Sequence, residues 1–411
     1  MFRPMQRRPT ATAAIALLLL AGCGGGDTPG NSTAVVTQGQ QSFKIADLPE
    51  RSTDPAGSGQ AANAQVDQAV QAALKKFNLP GATVVVMKDQ QVVYAKGYGY
   101  SNLATRTPAR PEDRFQIGSI SKMFVATAIL LLVEDGKMQL DDPVNRYFSG
   151  LPESWRPITV RMLLNHSSGV TSDPSSTGTY HPSIDQRFDS FMAGSDADRV
   201  AAIAAIPLNA PPGTRFEYSN LAYNVLGMLA SKVAGMDYVE LLQQRVFRPL
   251  GMSSARKIDA ANPMAGTASG YQPEGDSVRE IVLGPNIARF AAQGAGGIEM
   301  NVLDMAKWDK ALYGNQVLKP SSLAAMAKGE IDAGGGATYG LGWYLYTVNG
   351  RPLWKHSGSM AGFVSDYRRW PNDRFATVVL TNNGEVSSNV PGALFIARAV
   401  TDLLAPELSI R

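Results

Sequence analysis

The chain has 411 residues, 44% of them apolar and 18% charged, enough to bury a sizeable core in one large domain or two intimately joined ones. Its formal net charge is +3, and Arg3, Arg7 and Arg8 all stand in the first 22 residues, so the remainder is close to neutral. With no sustained run of Lys and Arg beyond that segment, nucleic-acid binding has no electrostatic support, and the single cysteine, Cys23, leaves no intrachain disulfide to form.

The opening "MFRPMQRRPTATAAIALLLLAGC" has a basic start, a short apolar run and small residues ahead of Cys23, the pattern of a secretion signal over residues 1–22. The run is too short to span a hydrocarbon core of about 30 Å as a stable helix. "LAGC" resembles a bacterial lipobox, which implies cleavage before Cys23, lipidation there and a membrane anchor on the periplasmic side. Gly24 in place of an aspartate favours the outer membrane by the same resemblance. The polar, Gly-rich stretch 23–60 reads as a flexible tether, and 61–405 as the working domain.

"AQVDQAVQAALKKFNLPG" places Val66, Val70, Ala73, Leu74 and Phe77 at helical spacing, with Pro80-Gly81 as the stop. Two β-rich runs about a polar break at Lys88 to Gln90 then predict a hairpin. "GSISKMFVATAILLLVEDGK" is apolar nearly all round from Met123 to Val133 and stops at Gly136, which predicts a buried helix with Ser119 at its mouth. From about 140 to 290 the pattern is mostly helical. The last third returns to strands, with a hairpin at Asn349-Gly350, a second about Pro371 to Asp373, and a closing helix in "SSNVPGALFIARAVTDLL". Strands at both ends predict one antiparallel sheet completed by the two termini and flanked by helices, with a mostly helical insertion: an α/β fold.

Three histidines and no H-E-x-x-H give little for a metal, and neither G-x-S-x-G nor G-x-G-x-x-G occurs. The remaining nucleophile template is S-x-x-K, where a lysine one helical turn after a serine can take or share its proton. It matches twice, at Ser119 to Lys122 and at Ser254 to Lys257, just as Y-x-N matches at Tyr100 to Asn102 and at Tyr218 to Asn220. Context separates the copies. Ser119 opens a buried helix, where Lys122 would be desolvated and its pKa lowered, whereas Ser254 lies in the polar "GMSSARKID". Tyr218 follows a Pro-Gly turn and precedes a helix, whereas Tyr100 ends a strand.

The order Ser119-x-x-Lys122, Tyr218-x-Asn220, His356-Ser357-Gly358, with "ITVRMLLNHSSGV", "PPGTRFEYSNLAYNVLG", "GGIEMNVLDMAKW", "YGLGW" and "HSGSMAGF" around it, closely resembles the serine β-lactamase and penicillin-binding-protein superfamily. Within it, the pattern resembles in particular the group of class C β-lactamases, D-alanyl-D-alanine carboxypeptidases and family VIII esterases. The resemblance implies a β-lactamase/transpeptidase-like fold and an acyl-enzyme on Ser119. It makes Lys122 the proton partner of Ser119, Tyr218 the general base alongside it, and Asn220 the holder of a substrate amide. His356, Gly358 and Ser359 form the third motif, the Ser119 and Ser359 N–H groups being the oxyanion donors. It implies a small-molecule or peptide substrate, such as a β-lactam, a D-alanyl peptide or a carboxylic ester, and no metal or organic cofactor.

Each residue also has a purely structural use: Ser119 and Asn220 as helix caps, Lys122 as a snorkelling cation, Tyr218 as a core phenol. The alternative for the whole chain is a non-catalytic, penicillin-recognising or scaffold lipoprotein. His166 in "NHSSG" reads as a loop-shaping residue, and Lys355 should point away from the face that His356 enters. Many β-lactamases carry lysine where this chain has His356, and a histidine of ordinary pKa near 6.5 would be mostly neutral at pH 7. That favours a peptidase or esterase.

Overall fold

The computed structural model describes residues 36–54, 64–172, 192–259, 262–283, 292–384 and 392–410, all within one compact unit spanning 34–411. The expected signal segment 1–22, Cys23 and His181 lie outside the described residues.

A ten-stranded antiparallel sheet forms the frame. Its path runs Ile331–Gly334, Ala337–Tyr339, Tyr344–Val348, Arg351–Met360, Phe363–Trp370, Phe375–Thr381, Gly81–Lys88, Gln91–Asn102 and Ser52–Thr53, with Thr107–Pro108 on Gln91–Asn102. Chain ends therefore meet in the middle: Phe375–Thr381 pairs with Gly81–Lys88, Val379 opposite Val84. Along Gly81–Lys88 every residue but the last is buried, because both faces are covered. Val84 and Val86 pack with the helices Ala64–Lys76 and Gly392–Leu404, while Val85 and Met87 face the main core of Phe124, Leu226 and Trp308. The period of two distributes one strand between two cores.

Two of the hairpin turns have both central residues at positive φ, Asp89 with Gln90 and Asn349 with Gly350, which is the turn chirality that matches strand twist. The helix Ser121–Glu134 is buried on all sides up to Leu132, as its uniform apolarity demands. It packs against Asn220–Ala234, capped by the Ser219 side chain on the Ala222 N–H and ended by Gly235 at φ 71°.

The structure differs from the sequence expectation in two places. Residues 36–54 are not plain tether, since Val36–Phe43 pairs with Ser277–Leu283 and Ser52–Thr53 joins the main sheet. The stretch 140–290 also carries the strands Arg256–Lys257, Gly270–Glu274 and Ser277–Leu283 beside its helices.

Candidate active site

Ser119 lies in the 3-10 turn Gly118–Ile120 that leads directly into the helix Ser121–Glu134, and it is 6% exposed. Its N–H belongs to a helix start, where backbone donors lack intrahelical acceptors. The turn is seated on the sheet by backbone contact. Ile117 N–H donates to Ile298 O at 3.1 Å, Ser365 Oγ donates to Ile117 O at 2.8 Å, and Gly358 passes so close that a Cβ there would stand 2.0 Å from Ile117 O. Gly118, at φ 54°, meets Ser359 in the same way, with Ser359 N 2.7 Å from where a Cβ would sit. Third motif and nucleophile turn are thus pressed backbone to backbone.

Lys122 is fully buried, with Nζ 3.1 Å from Ser119 Oγ, 2.8 Å from Asn220 Oδ1 and 2.7 Å from Ala295 O. Burial pushes its pKa well below 10.5. The Tyr218 hydroxyl is close enough to Ser119 for that side chain to influence its ionisation, and the Tyr218 ring lies 5.0 Å from Lys122 Nζ. Desolvation raises the Tyr218 pKa above its usual 10, with the nearby Ser119 side chain opposing it, so this phenol is neutral at pH 7.

His356 is 2% exposed. Its Nδ1 lies 2.6 Å from Ser357 O, a carbonyl that can only accept, so Nδ1 carries the proton and Nε2 accepts from Tyr339 O–H at 3.0 Å. Both ring nitrogens are engaged within the protein. Burial lowers the His356 pKa to about 3. Lys355 points elsewhere, to Asp366 at 3.4 Å.

The structure brings Ser119, Lys122, Tyr218 and Asn220 together, with His356 beside Tyr218 at a ring separation of 6.4 Å. The duplicate motifs are elsewhere and fully used. Ser254 Oγ donates to Asp304 at 2.5 Å and accepts from Asn301 N–H, and Lys257 pairs with Asp237 at 2.6 Å. Tyr100 O–H donates to Pro49 O, and Asn102 Nδ2 to Ser269 Oγ.

Two contributors were not singled out from sequence. Asn224 Oδ1 accepts the Ala295 N–H at 2.9 Å, and so holds the carbonyl that takes Lys122. Its signal was available: it stands one helical turn after Asn220 in "YSNLAYN", on the same face. Tyr339, whose hydroxyl occupies His356 Nε2, opens the block "YGLGW", but nothing there pointed to that contact. Among the described residues no cluster of three or more His, Cys, Asp or Glu could hold a metal.

The Beta-lactamase family model matches residues 66–401, most of the chain and all of the site just described. The chain belongs to the Beta-lactamase family. It is a serine hydrolase of the β-lactamase and penicillin-binding-protein type. Among curated relatives it is 27% identical to the putative penicillin-binding protein PbpX of Bacillus subtilis (strain 168), over 82% of this chain and 78% of that one. Protein flp of Staphylococcus aureus (strain N315) is 28% identical over 77% of this chain, which spans 62% of that protein's length. The octameric penicillin-binding protein homologue from Pyrococcus abyssi shares the family fold, with a TM-score of 0.70, 29% identity, and coverage of 84% of this chain and 78% of that one.

Proposed function

We propose that this member of the family is an acyl-transfer hydrolase of the bacterial envelope, lipid-anchored at Cys23, that forms an acyl-enzyme on Ser119 and prefers neutral esters or amides. The observation that carries the chemistry is the set of partners around Lys122. A neutral amine has two N–H bonds and one lone pair. Asn220 Oδ1 and Ala295 O can only accept, so they take the two N–H bonds, and the lone pair faces the Ser119 hydroxyl. Lys122 is then the base, and desolvation favours that form.

Ser119 Oγ attacks the acyl carbon as its proton passes to Lys122, and the developing oxyanion faces the Ser119 and Ser359 N–H groups. The proton returns through the neutral Tyr218 phenol to the leaving oxygen or nitrogen as that bond breaks. Water then attacks the ester on Ser119 and gives its proton through Tyr218 to Lys122, which returns it to Ser119 Oγ as that C–O bond breaks, so the carboxylic acid is released and the Ser119 hydroxyl restored.

Substrate preference rests on His356. With Nδ1–H given to Ser357 O and Nε2 occupied by Tyr339, the third motif offers a substrate carboxylate neither a charge nor a free N–H. Carboxylic esters and uncharged amides fit this wall better than penicillins.

Labelling with a fluorophosphonate and turnover of p-nitrophenyl acetate test the proposal. Ser119→Ala should abolish both, while Ser254→Ala, in its buried contact with Asp304, should leave them within about twofold, since it touches no reacting group. A protein inert to both reagents would support the scaffold alternative, and a dead Ser254→Ala variant beside an active Ser119→Ala one would move the nucleophile.

A further inference from the structure

Tyr218 stands in a segment without regular secondary structure, just before the helix Asn220–Ala234. Nothing in its own element fixes it. Its neighbours are instead held from across the chain, where Thr171 O accepts from Ser219 Oγ at 2.8 Å and where two main-chain N–H groups go to one residue, His166. The His166 carbonyl accepts the Glu217 N–H at 2.7 Å, and His166 Nδ1 accepts the Ser219 N–H at 3.0 Å. The imidazole packs on the Tyr218 ring itself, with centroids 4.4 Å apart and planes 36° apart. Three consecutive residues are therefore gripped from one position.

Several features show that the ring is there for its acceptor. His166 is completely buried, and its backbone is at φ 62°, a conformation that costs an ordinary side chain free energy. Its Nε2 is buried without a hydrogen-bond partner among the described residues, a further cost that an apolar ring would avoid. Because the Ser219 amide can only donate, Nδ1 must be unprotonated, so the residue works as neutral imidazole. The same amide belongs to the residue whose side chain caps the helix bearing Asn220 and Asn224.

We propose that His166 is a positioning residue for the reaction at Ser119, orienting Tyr218 and the start of the Asn220 helix through the hydrogen bond its Nδ1 accepts from the Ser219 amide. This rests on the roles given above to Ser119 and Tyr218. His166 is not assigned a proton transfer; it acts through Tyr218.

Two substitutions separate the acceptor from the backbone and the ring. His166→Asn keeps an acceptor at the same distance from the main chain and tolerates positive φ, whereas His166→Gly keeps the backbone freedom and removes the acceptor; both lose the ring. Acylation by p-nitrophenyl acetate would be followed in single turnovers, with thermal unfolding to verify folding. His166→Gly should lower the acylation rate about 100-fold with KM changed less than about threefold, and His166→Asn should recover to within about tenfold of wild type. In a Tyr218→Phe background the His166→Gly loss should shrink to about threefold or less, because the two residues act as one unit.

Equal loss in His166→Asn and His166→Gly, or a loss undiminished in Tyr218→Phe, would overturn the proposal while leaving the Ser119 chemistry intact. If fluorophosphonate labelling proves independent of Ser119, the underlying mechanism fails first. Should His166→Gly not fold, the comparison of His166→Asn with wild type, alone and in Tyr218→Phe, decides: a loss in His166→Asn greater than about tenfold would sink it.

Discussion

Lys122 and His356 titrate in the same direction for the same reason, and this sets the pH dependence of the chemistry. Burial lowers both pKa values, Lys122 from 10.5 and His356 from 6.5 to about 3. As pH rises, Lys122 passes to its base form below the usual lysine range, so acylation should rise with it. His356 remains neutral from pH 5 to 9. Acylation by a penicillin and by a p-nitrophenyl ester should therefore follow one shared rising limb. A penicillin rate that climbs instead towards pH 6, with the ester unchanged, would mean that His356 gains a proton and binds the carboxylate. The sign for stability follows too. The unfolded histidine takes its proton below 6.5 and the folded one only near 3, so His356 favours the native state above 6.5 and that contribution is lost as pH falls towards 3. Urea midpoints falling steadily from pH 7 to 4 would show it.

At the scale of elements, the site depends on where backbone meets backbone. The strand Arg351–Met360 approaches the Ser119 turn through Gly358, and a methyl group there would collide with the Ile117 carbonyl, which side-chain rotation cannot relieve. Gly358→Ala should destabilise the protein by about 1–3 kcal/mol and reduce acylation through displacement of Ser119, measurable as a lower urea midpoint together with slower fluorophosphonate labelling. An unchanged midpoint would mean that the strand does not press on the turn. The hairpin that delivers this strand was legible, because Asn349-Gly350 has few alternatives to a tight turn. So was the buried helix after Ser119, whose apolarity has no solvent face. Less legible were Val36–Phe43, in the polar "VTQGQQSF", and its partner Ser277–Leu283, because a strand with little alternation is defined by pairing with a segment over 200 residues away. The clamp by His166 was hidden for the same reason: it acts on Ser219, 53 residues further along the chain.

For the whole molecule, the site is assembled from segments spread from Ser119 to Ser359, all converging on the start of one buried helix. The helices and strands that bring them together are shared by a family with many substrates, so the fold alone does not choose among esters, amides and β-lactams. Location is a separate question, for which we propose the lipid anchor at Cys23. Cys23→Ala should leave the membrane fraction for the soluble one; a variant still fully membrane-bound after a salt wash would refute the lipid anchor. The central claim is that a neutral Lys122 activates Ser119 for acyl transfer. Its most direct test is acid-quenched mass spectrometry of the protein during turnover of p-nitrophenyl acetate, in wild type and in Lys122→Met. One acetyl group should appear on the peptide containing Ser119 in the wild type, and should form at least about 1,000-fold more slowly in Lys122→Met, in the range expected when a positioned base is lost and its buried partners are left unpaired. An acetyl group on any other residue, or equal rates in the two proteins, would contradict it.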